Sequence, residues 1–372
     1  MKFLIGVTTL NRNLMLNEAI RSVFQQSYPE WQLIVSDNAS DTPVESTIPD
    51  SFLKDPRVSI VRHDKRLSGE DHGNSLLRHA HKFDYDYLLL AHDDDILLPF
   101  ALDLVRKYND NAGMVACTVA LYCEASKTLK YERQLHKTQQ PPCRIDAMAG
   151  LQYNARPWGI RLSDDSGKTR LGCHLGITHS GAYYMSKNLV ERVLERFDDV
   201  FDVPLGDVSG YGKFAITSGS MIYINRPAAV IRFHDSSDTT LWTSGKHHGE
   251  QKVFQYSPVK ATTFSNMSLE AYLKLMNELE ISYSDRIHPS FFLRHIKEIL
   301  RVRPYTSSTR ESIRECLPHL LHPASLVESG CWMAGRLAKR ISEALLINRQ
   351  FIEISPVDSI WEAADKCVSK FG

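Results

Sequence analysis

The chain carries no excess of charge of either sign: lysine plus arginine number 44 and aspartate plus glutamate number 44 among its 372 residues. No global field therefore favours nucleic acid or an anionic membrane, and any charge-driven contact must be local. Long apolar runs are also missing. No segment offers about 18 apolar residues in succession, so an integral membrane protein is not expected. The apolar opening Phe3-Leu4-Ile5-Gly6-Val7 gives way at once to Asn11-Arg12-Asn13, which reads as a first buried strand and not as a signal peptide. The seven cysteines, at 117, 123, 143, 173, 316, 331 and 367, contain no Cys-x-x-Cys pair and are odd in number. That usage suits reduced thiols in a cytoplasmic protein and argues against a disulfide framework. Neither an internal repeat nor a low-complexity tract is present.

What remains, 43% hydrophobic and 24% charged residues, describes a soluble globular chain. Its length suits one large domain with an appendage, or two domains of ordinary size. Residues 3–8, 31–36, 58–61 and 85–91 read as short apolar strands, and 13–26 and 73–82 as helices by their apolar period. Strands alternating with helices at this spacing predict an α/β fold built on a doubly wound, mostly parallel sheet. Such sheets bind ligands beyond the carboxyl ends of their strands. Three polar clusters fall there: Thr9-Leu10-Asn11-Arg12, Asp37-Asn38, and Asp93-Asp94-Asp95. One such cluster is ordinary turn chemistry; three in phase point to a ligand.

The last cluster is the most informative. Tyr87-Leu88-Leu89-Leu90-Ala91-His92 runs directly into three adjacent carboxylates. Three like charges cannot all be buried ionised, so the turn needs solvent, partial protonation or a cation. A hard divalent ion with oxygen ligands fits best.

Further on, 99–108 predicts a helix, 113–123 a strand, and 125–170 an irregular polar stretch that serves either as a substrate loop or as a surface excursion. Helices are expected at 187–197 and after Gly206-Asp207, and two separate strands at 221–225 and 227–233, ending in His234. Beyond about 250 the pattern turns helical, with segments at 269–279, 291–302, 309–317 and 330–347. The expected division is a catalytic domain over 1–245 and a helical C-terminal subdomain over 246–372.

Over roughly residues 1–240 the order and spacing of these motifs resemble the family 2 glycosyltransferases of the GT-A fold. Thr9-Leu10-Asn11-Arg12 matches the turn after that family's first strand, and Ser22-Val23-Phe24-Gln25-Gln26-Ser27-Tyr28 the end of its first helix. Val35-Ser36-Asp37-Asn38-Ala39-Ser40-Asp41 matches its second strand end, and Asp93-Asp94-Asp95-Ile96-Leu97-Leu98-Pro99 its acidic metal motif. The resemblance implies an inverting, metal-dependent transferase acting on a nucleotide-sugar, expected to be a UDP-sugar, and a saccharide or lipid-linked saccharide acceptor, as in assembly of bacterial surface polysaccharide. It implies that Asp37 hydrogen-bonds the nucleotide base, with Thr9 and Asn11 lining the same pocket and Asn38 or Arg66 assisting. The metal, Mn²⁺ or Mg²⁺, falls to Asp94, with Asp95 beside it and His234 completing the site. His92 stands where the family carries its first aspartate, so the ribose contact is left between the neighbouring carboxylates, Asp93 among them. Relatives carry a Glu-Asp pair at the start of a helix, whose Asp deprotonates the acceptor; here the pair reads Gly206-Asp207, and Asp207 is the expected base. An N-cap role would also suit an Asp there.

Two rivals share the framework. A sugar nucleotidyltransferase would need a glycine-rich loop after strand one, and Thr8-Thr9-Leu10-Asn11 has no glycine. A non-catalytic nucleotide or carbohydrate-binding module is kept in view by the missing Glu before Asp207. The segment 330–347 interleaves Arg336, Lys339 and Arg340 with Trp332, Leu337, Ile341 and Leu345. Such a helix either lies peripherally at the inner face of a membrane or docks on the catalytic domain.

Overall fold

A computed structural model describes residues 1–132, 142–155, 158, 160–162, 182–235, 254–302, 307–325, 327–329, 351–354 and 356–372. Its first strand, β1 (Phe3–Thr9), is apolar and buried on both faces, as a central parallel strand must be. β2 (Trp31–Asp37) and β4 (Tyr87–His92) flank it in parallel, and β3 (Val58–Arg62) pairs in parallel with β2. The register is level at the carboxyl ends: Thr9 lies opposite Asp37, Thr8 opposite His92, and Asp37 opposite Arg62. The polar turns after these strands therefore share one edge.

Helices cover both faces. α1 (Asn13–Phe24) buries Leu16, Ala19, Ile20 and Val23, and with α4 (Ala101–Tyr108) it builds one core against Phe3, Ile5, Leu33 and Leu89. α3 (Gly69–Ala80) follows the short α2 (Asp50–Leu53) and packs Leu76, Leu77 and Ala80 on the opposite face beside Leu4 and Leu88. α3 starts four residues before its apolar period does. Ser68 accepts a hydrogen bond from the backbone N–H of Asp71, and Glu70 and Asp71 sit in a first turn that favours negative charge. A polar capping turn of this kind is invisible to a search for apolar spacing.

The sheet continues as a mixed one. β6 (Met114–Cys123) runs parallel to β10 (Ser220–Phe233), and β9 (Tyr183–Ser186) joins β6 to β4 by antiparallel pairing. β10 is a single strand where the sequence predicts two. Its ladder slips on either side of Pro227, which has no N–H to give, and then resumes. The stretch expected to be irregular also holds structure: β7 (Thr128–Glu132), β8 (Cys143–Asp146) and α5 (Ala147–Ala155). β8 finds its ladder on β10, a partner some 75 residues away that no local pattern reveals.

The two-residue strand β5 (Ile96–Leu97) also pairs with β10, Leu97 opposite Ala229 and Ile96 opposite Val230. This pairing carries the Asp93–Asp95 turn up to Arg232 and His234. After α6 (Lys187–Arg196) comes α7 (Gly206–Ser218), against which α8 (Phe264–Glu278) packs. The buried Lys213 ammonium ties the two, pairing with Asp202 and with Glu278 at 2.9 Å. α9 (Pro289–Val302) and α10 (Ser307–Leu321) pack together beyond it. β11 (Phe351–Ile354) then pairs with β7, and α11 (Ile360–Phe371) buries Ile360, Ala363 and Cys367 against Tyr122 and Val230. The expected helix at 330–347, and with it the predicted membrane contact, lies outside the described residues. Among those that are described, no helix is long and apolar enough to cross a membrane, and Cys117, Cys123, Cys316 and Cys367 are free.

One side chain fixes α3 against the segment that leads into α7. Buried Asn74 accepts from the backbone N–H groups of Val200 and Phe201 at 2.9 and 2.8 Å and donates to the Phe201 carbonyl at 2.9 Å. Asn74→Ala leaves two buried donors unsatisfied, at about 1–3 kcal/mol each. The expected result is a loss of roughly 2–4 kcal/mol in urea unfolding; a midpoint equal to that of the parent chain would show that the segment is held by packing alone.

Candidate functional site

At the shared strand edge the three predicted turns are stitched to one another. The backbone N–H of Asn38 reaches the Thr9 carbonyl at 3.0 Å. Asn11, in a left-handed conformation at φ 56°, bonds the Ser40 hydroxyl through its N–H and exchanges side-chain hydrogen bonds with Asp41. Asn38 accepts from the N–H of Leu67 and donates to its carbonyl, pinning the loop after β3. Arg66 ion-pairs with Asp41 on the exposed rim. Of the side chains expected to line a nucleotide pocket, Asn11, Asn38 and Arg66 thus serve to hold its loops together.

Asp37 lies at the floor, fully buried, accepting from the Ser40 N–H at 2.9 Å and ion-paired with Arg62. Arg62 stands in none of the sequence motifs, although its place at the end of β3 puts it directly opposite Asp37. Below them the Ser36 hydroxyl meets His72 at 2.8 Å, and the rings of His63 and His72 meet edge to face at 5.2 Å.

The acidic turn resolves into three different environments. Asp93 is buried, accepting from the Thr9 hydroxyl at 2.6 Å and pairing with Arg12 at 3.2 Å. Burial raises its pKa against the opposing charge of Arg12. Asp94 takes Arg12 at 3.1 Å and His234 Nε2 at 3.0 Å on the same oxygen, Oδ2. Its burial works upward, but the His234 hydrogen bond and the charges of His92 and Arg12 outweigh it and hold the carboxyl below its usual range. Asp95 turns the other way, to the backbone N–H of Arg232 at 3.0 Å, and burial with the neighbouring Asp94 charge pushes it up to about 8. His92 sits among all of them. Burial opposes its charge, but the carboxylates of Asp207, Asp95, Asp94 and Asp93 prevail and raise its pKa.

Arg12 closes a sequence motif that by itself gives it no task. Its guanidinium supplies a cation to two of the three adjacent carboxylates, Asp93 and Asp94. The signal was the charge balance of the two turns: an Arg in the turn past the first strand, facing an acidic run past the fourth.

A divalent ion would find part of its shell in place. Asp94 Oδ2 and His234 Nε2 lie 3.0 Å apart, the spacing of two adjacent ligands about 2.1 Å from an octahedral ion. One carboxylate oxygen and one imidazole nitrogen suit Mn²⁺ or Mg²⁺ taking its remaining ligands from diphosphate and water. They do not make a closed protein cage: among the described residues no group of three or more His, Cys, Asp or Glu side chains is set to hold a metal.

Asp207 lies in the first turn of α7. The N-cap position belongs to Leu205, so Asp207 does not cap the helix. Burial raises its pKa, with His92 opposing and Glu70 adding to the rise. The acidic turn and Asp207 are thus linked electrostatically through His92.

Residues 4–174 match the model of the family described as glycosyl transferase family 2. No curated protein matches the chain. Similar solved structures include Staphylococcus aureus TarS residues 1–349 in complex with UDP-GlcNAc, at 11% identity and TM-score 0.47, covering 82% of each chain. Another is the mannosyltransferase PcManGT from Pyrobaculum calidifontis in complex with GDP-Man and Mn²⁺, at 14% identity and TM-score 0.44, covering 99% of this chain and 87% of that one.

His72 makes the floor of the site sensitive to acid. Burial, aided by the nearby His63 charge, lowers its pKa to about 4, against about 6.5 in the unfolded chain. A depressed histidine contributes stability that is complete above pH 6.5 and lost as pH falls through 4, here about 3 kcal/mol in all. Urea unfolding of His72→Gln and the parent chain at pH 7 and pH 4 should show the parent losing more stability across that interval; equal slopes would remove His72 as the cause.

Proposed function

Taking the chain as a glycosyltransferase whose residues 4–174 match family 2, we propose that it transfers a sugar, with inversion, from a nucleotide donor to a saccharide or lipid-linked saccharide acceptor in polysaccharide biosynthesis. The donor in this reading is a UDP-sugar. Residues 1–245 carry the chemistry, and 246–372 form a mostly helical part whose β11 joins the sheet beside β7. The observation that carries the reading is the meeting of the Asp37 floor, the Asp93-Asp94-Asp95 turn with Arg12 and His234, and Asp207 through His92, all beyond the strand ends.

In the reaction the acceptor hydroxyl attacks the anomeric carbon from the face opposite the diphosphate. One C–O bond forms as the bond to the diphosphate oxygen breaks. Negative charge grows on the departing oxygen and positive charge on the sugar ring. Asp94 and His234 are the groups that would hold Mn²⁺ or Mg²⁺, which as a bound Lewis acid supplies stabilisation of the departing oxygen. Arg12 pairs with both Asp93 and Asp94 and holds the turn in place, and with His234 it favours the ionised form of Asp94. Asp207 takes the acceptor proton, and its raised pKa makes it a better base than an ordinary carboxylate. Thr9 holds Asp93, and Asp37 with Arg62 shapes the floor for the nucleoside.

Two measurements test the assignment. UDP should raise the melting temperature with Mn²⁺ or Mg²⁺ and leave it unchanged with EDTA, and Asp94→Ala should abolish the increase; stabilisation that ignores metal would count against the donor site as drawn. Asp207→Asn should bind UDP as the parent chain does while transferring sugar at least about 100-fold more slowly, the low end of a general base's contribution. Full transfer by that variant would take Asp207 out of its role.

A further inference from the structure

The segment that Asn74 holds also brings the first turns of two helices together. Phe201 is wedged between α3 and α7, and both helices have given up side chains to admit it. A Cβ at Gly73 would stand 3.2 Å from its ring, and one at Gly210 would overlap it. The consequence appears one turn earlier on each helix. A Cβ at Gly206 would stand 3.2 Å from Cγ of Glu70, so the Glu70 side chain lies over the residue directly before Asp207. Glu70 is half-buried, and its side chain makes no hydrogen bond or ion pair with any other described residue. A half-buried carboxylate with no partner among the described residues, set beside a second carboxylate, is an arrangement that folding alone does not favour.

We propose that Glu70 is a positioning residue of the transfer site: it holds a second carboxylate beside Asp207, in the space a side chain at 206 would fill, and acts on the acceptor's proton transfer through Asp207. This rests on Asp207 being the base. Among the described residues, the charged and titratable groups facing Asp207 are Glu70 from α3, His92 from the end of β4 and Tyr183 from β9. His92 draws the proton affinity of Asp207 down and Glu70 draws it up. A base whose proton affinity is raised in this way takes the acceptor proton more readily near neutral pH.

The test uses the full chain, a UDP-sugar donor that it turns over, and Mn²⁺. Glu70→Gln should lower kcat by about tenfold, a fraction of a general base's whole contribution, with the affinity for UDP and Mn²⁺ unchanged. The acid limb of its pH–rate profile should move to lower pH, since Asp207 loses the neighbour that raises it. Glu70→Ala should lower kcat further, and adding Gly206→Glu in that background should return it to within about threefold of the parent, because the new side chain enters the vacated space. A merely structural role for Glu70 would move neither the pH profile nor respond to that rescue. If Glu70→Gln keeps the parental kcat and pH profile, or if Glu70→Ala is not rescued while Glu70→Gln leaves the profile in place, the proposal falls. Retained transfer by Asp207→Asn would instead overturn the base itself. Loss of transfer there with an unaltered Glu70→Gln overturns only the part given to Glu70.

Discussion

Negative charge cannot be buried at a strand end unless a positive group is delivered to it, and the arrangement of the whole edge depends on that constraint. Arg12 on the turn after β1 meets Asp93 and Asp94 after β4. Arg62 at the end of β3 meets Asp37 at the end of β2. His234, after β10, meets Asp94. Each of these partners comes from a different strand than the carboxylate it serves. The level register of β1, β2 and β4 is therefore an electrostatic necessity as well as a packing outcome. A one-residue slip would turn Asp37 or Asp93 to the other face of the sheet.

The same turn separates three chemically identical side chains into three behaviours. Asp94, between His234 and Arg12, stays ionised; Asp95, turned to a backbone N–H and buried, is pushed up to about 8; Asp93 is held by Thr9 and Arg12. Adjacent carboxylates with such different proton affinities are the usual mark of a site that handles charge. The carboxylate closest to a metal-competent partner is also the one that environment keeps charged.

Helix ends do comparable work on the acceptor side. α3 and α7 begin near each other because Phe201 packs where glycines leave room and Asn74 closes the backbone of the intervening segment. Their first turns bring Glu70 and Asp207 to one place, where two helix N-termini favour negative charge. Behind them, Lys213 anchors α7 to Asp202 and to Glu278 of α8, so the C-terminal helices help set the position of Asp207.

From residue order alone, the α/β class, the alternation of the first strands and helices, and the three polar turns at 9–12, 37–41 and 93–95 were legible, because apolar periodicity and turn chemistry are local. So was the need of the aspartate run for a cation. Its source was not, since Arg12 lies 81 residues from Asp93 and meets it only through the pairing of β1 with β4. Nor were the tasks of Asn11, Asn38 and Arg66 as loop ties, the unity of β10 across Pro227, the ladder of β8, or the approach of Glu70 to the residue before Asp207. Each of these depends on contacts between segments far apart in the chain, where register and helix packing choose the neighbour. Residue order determined which chemistry the strand ends could offer; the tertiary structure decided which groups face one another, because a carboxylate's role is set by what is folded against it.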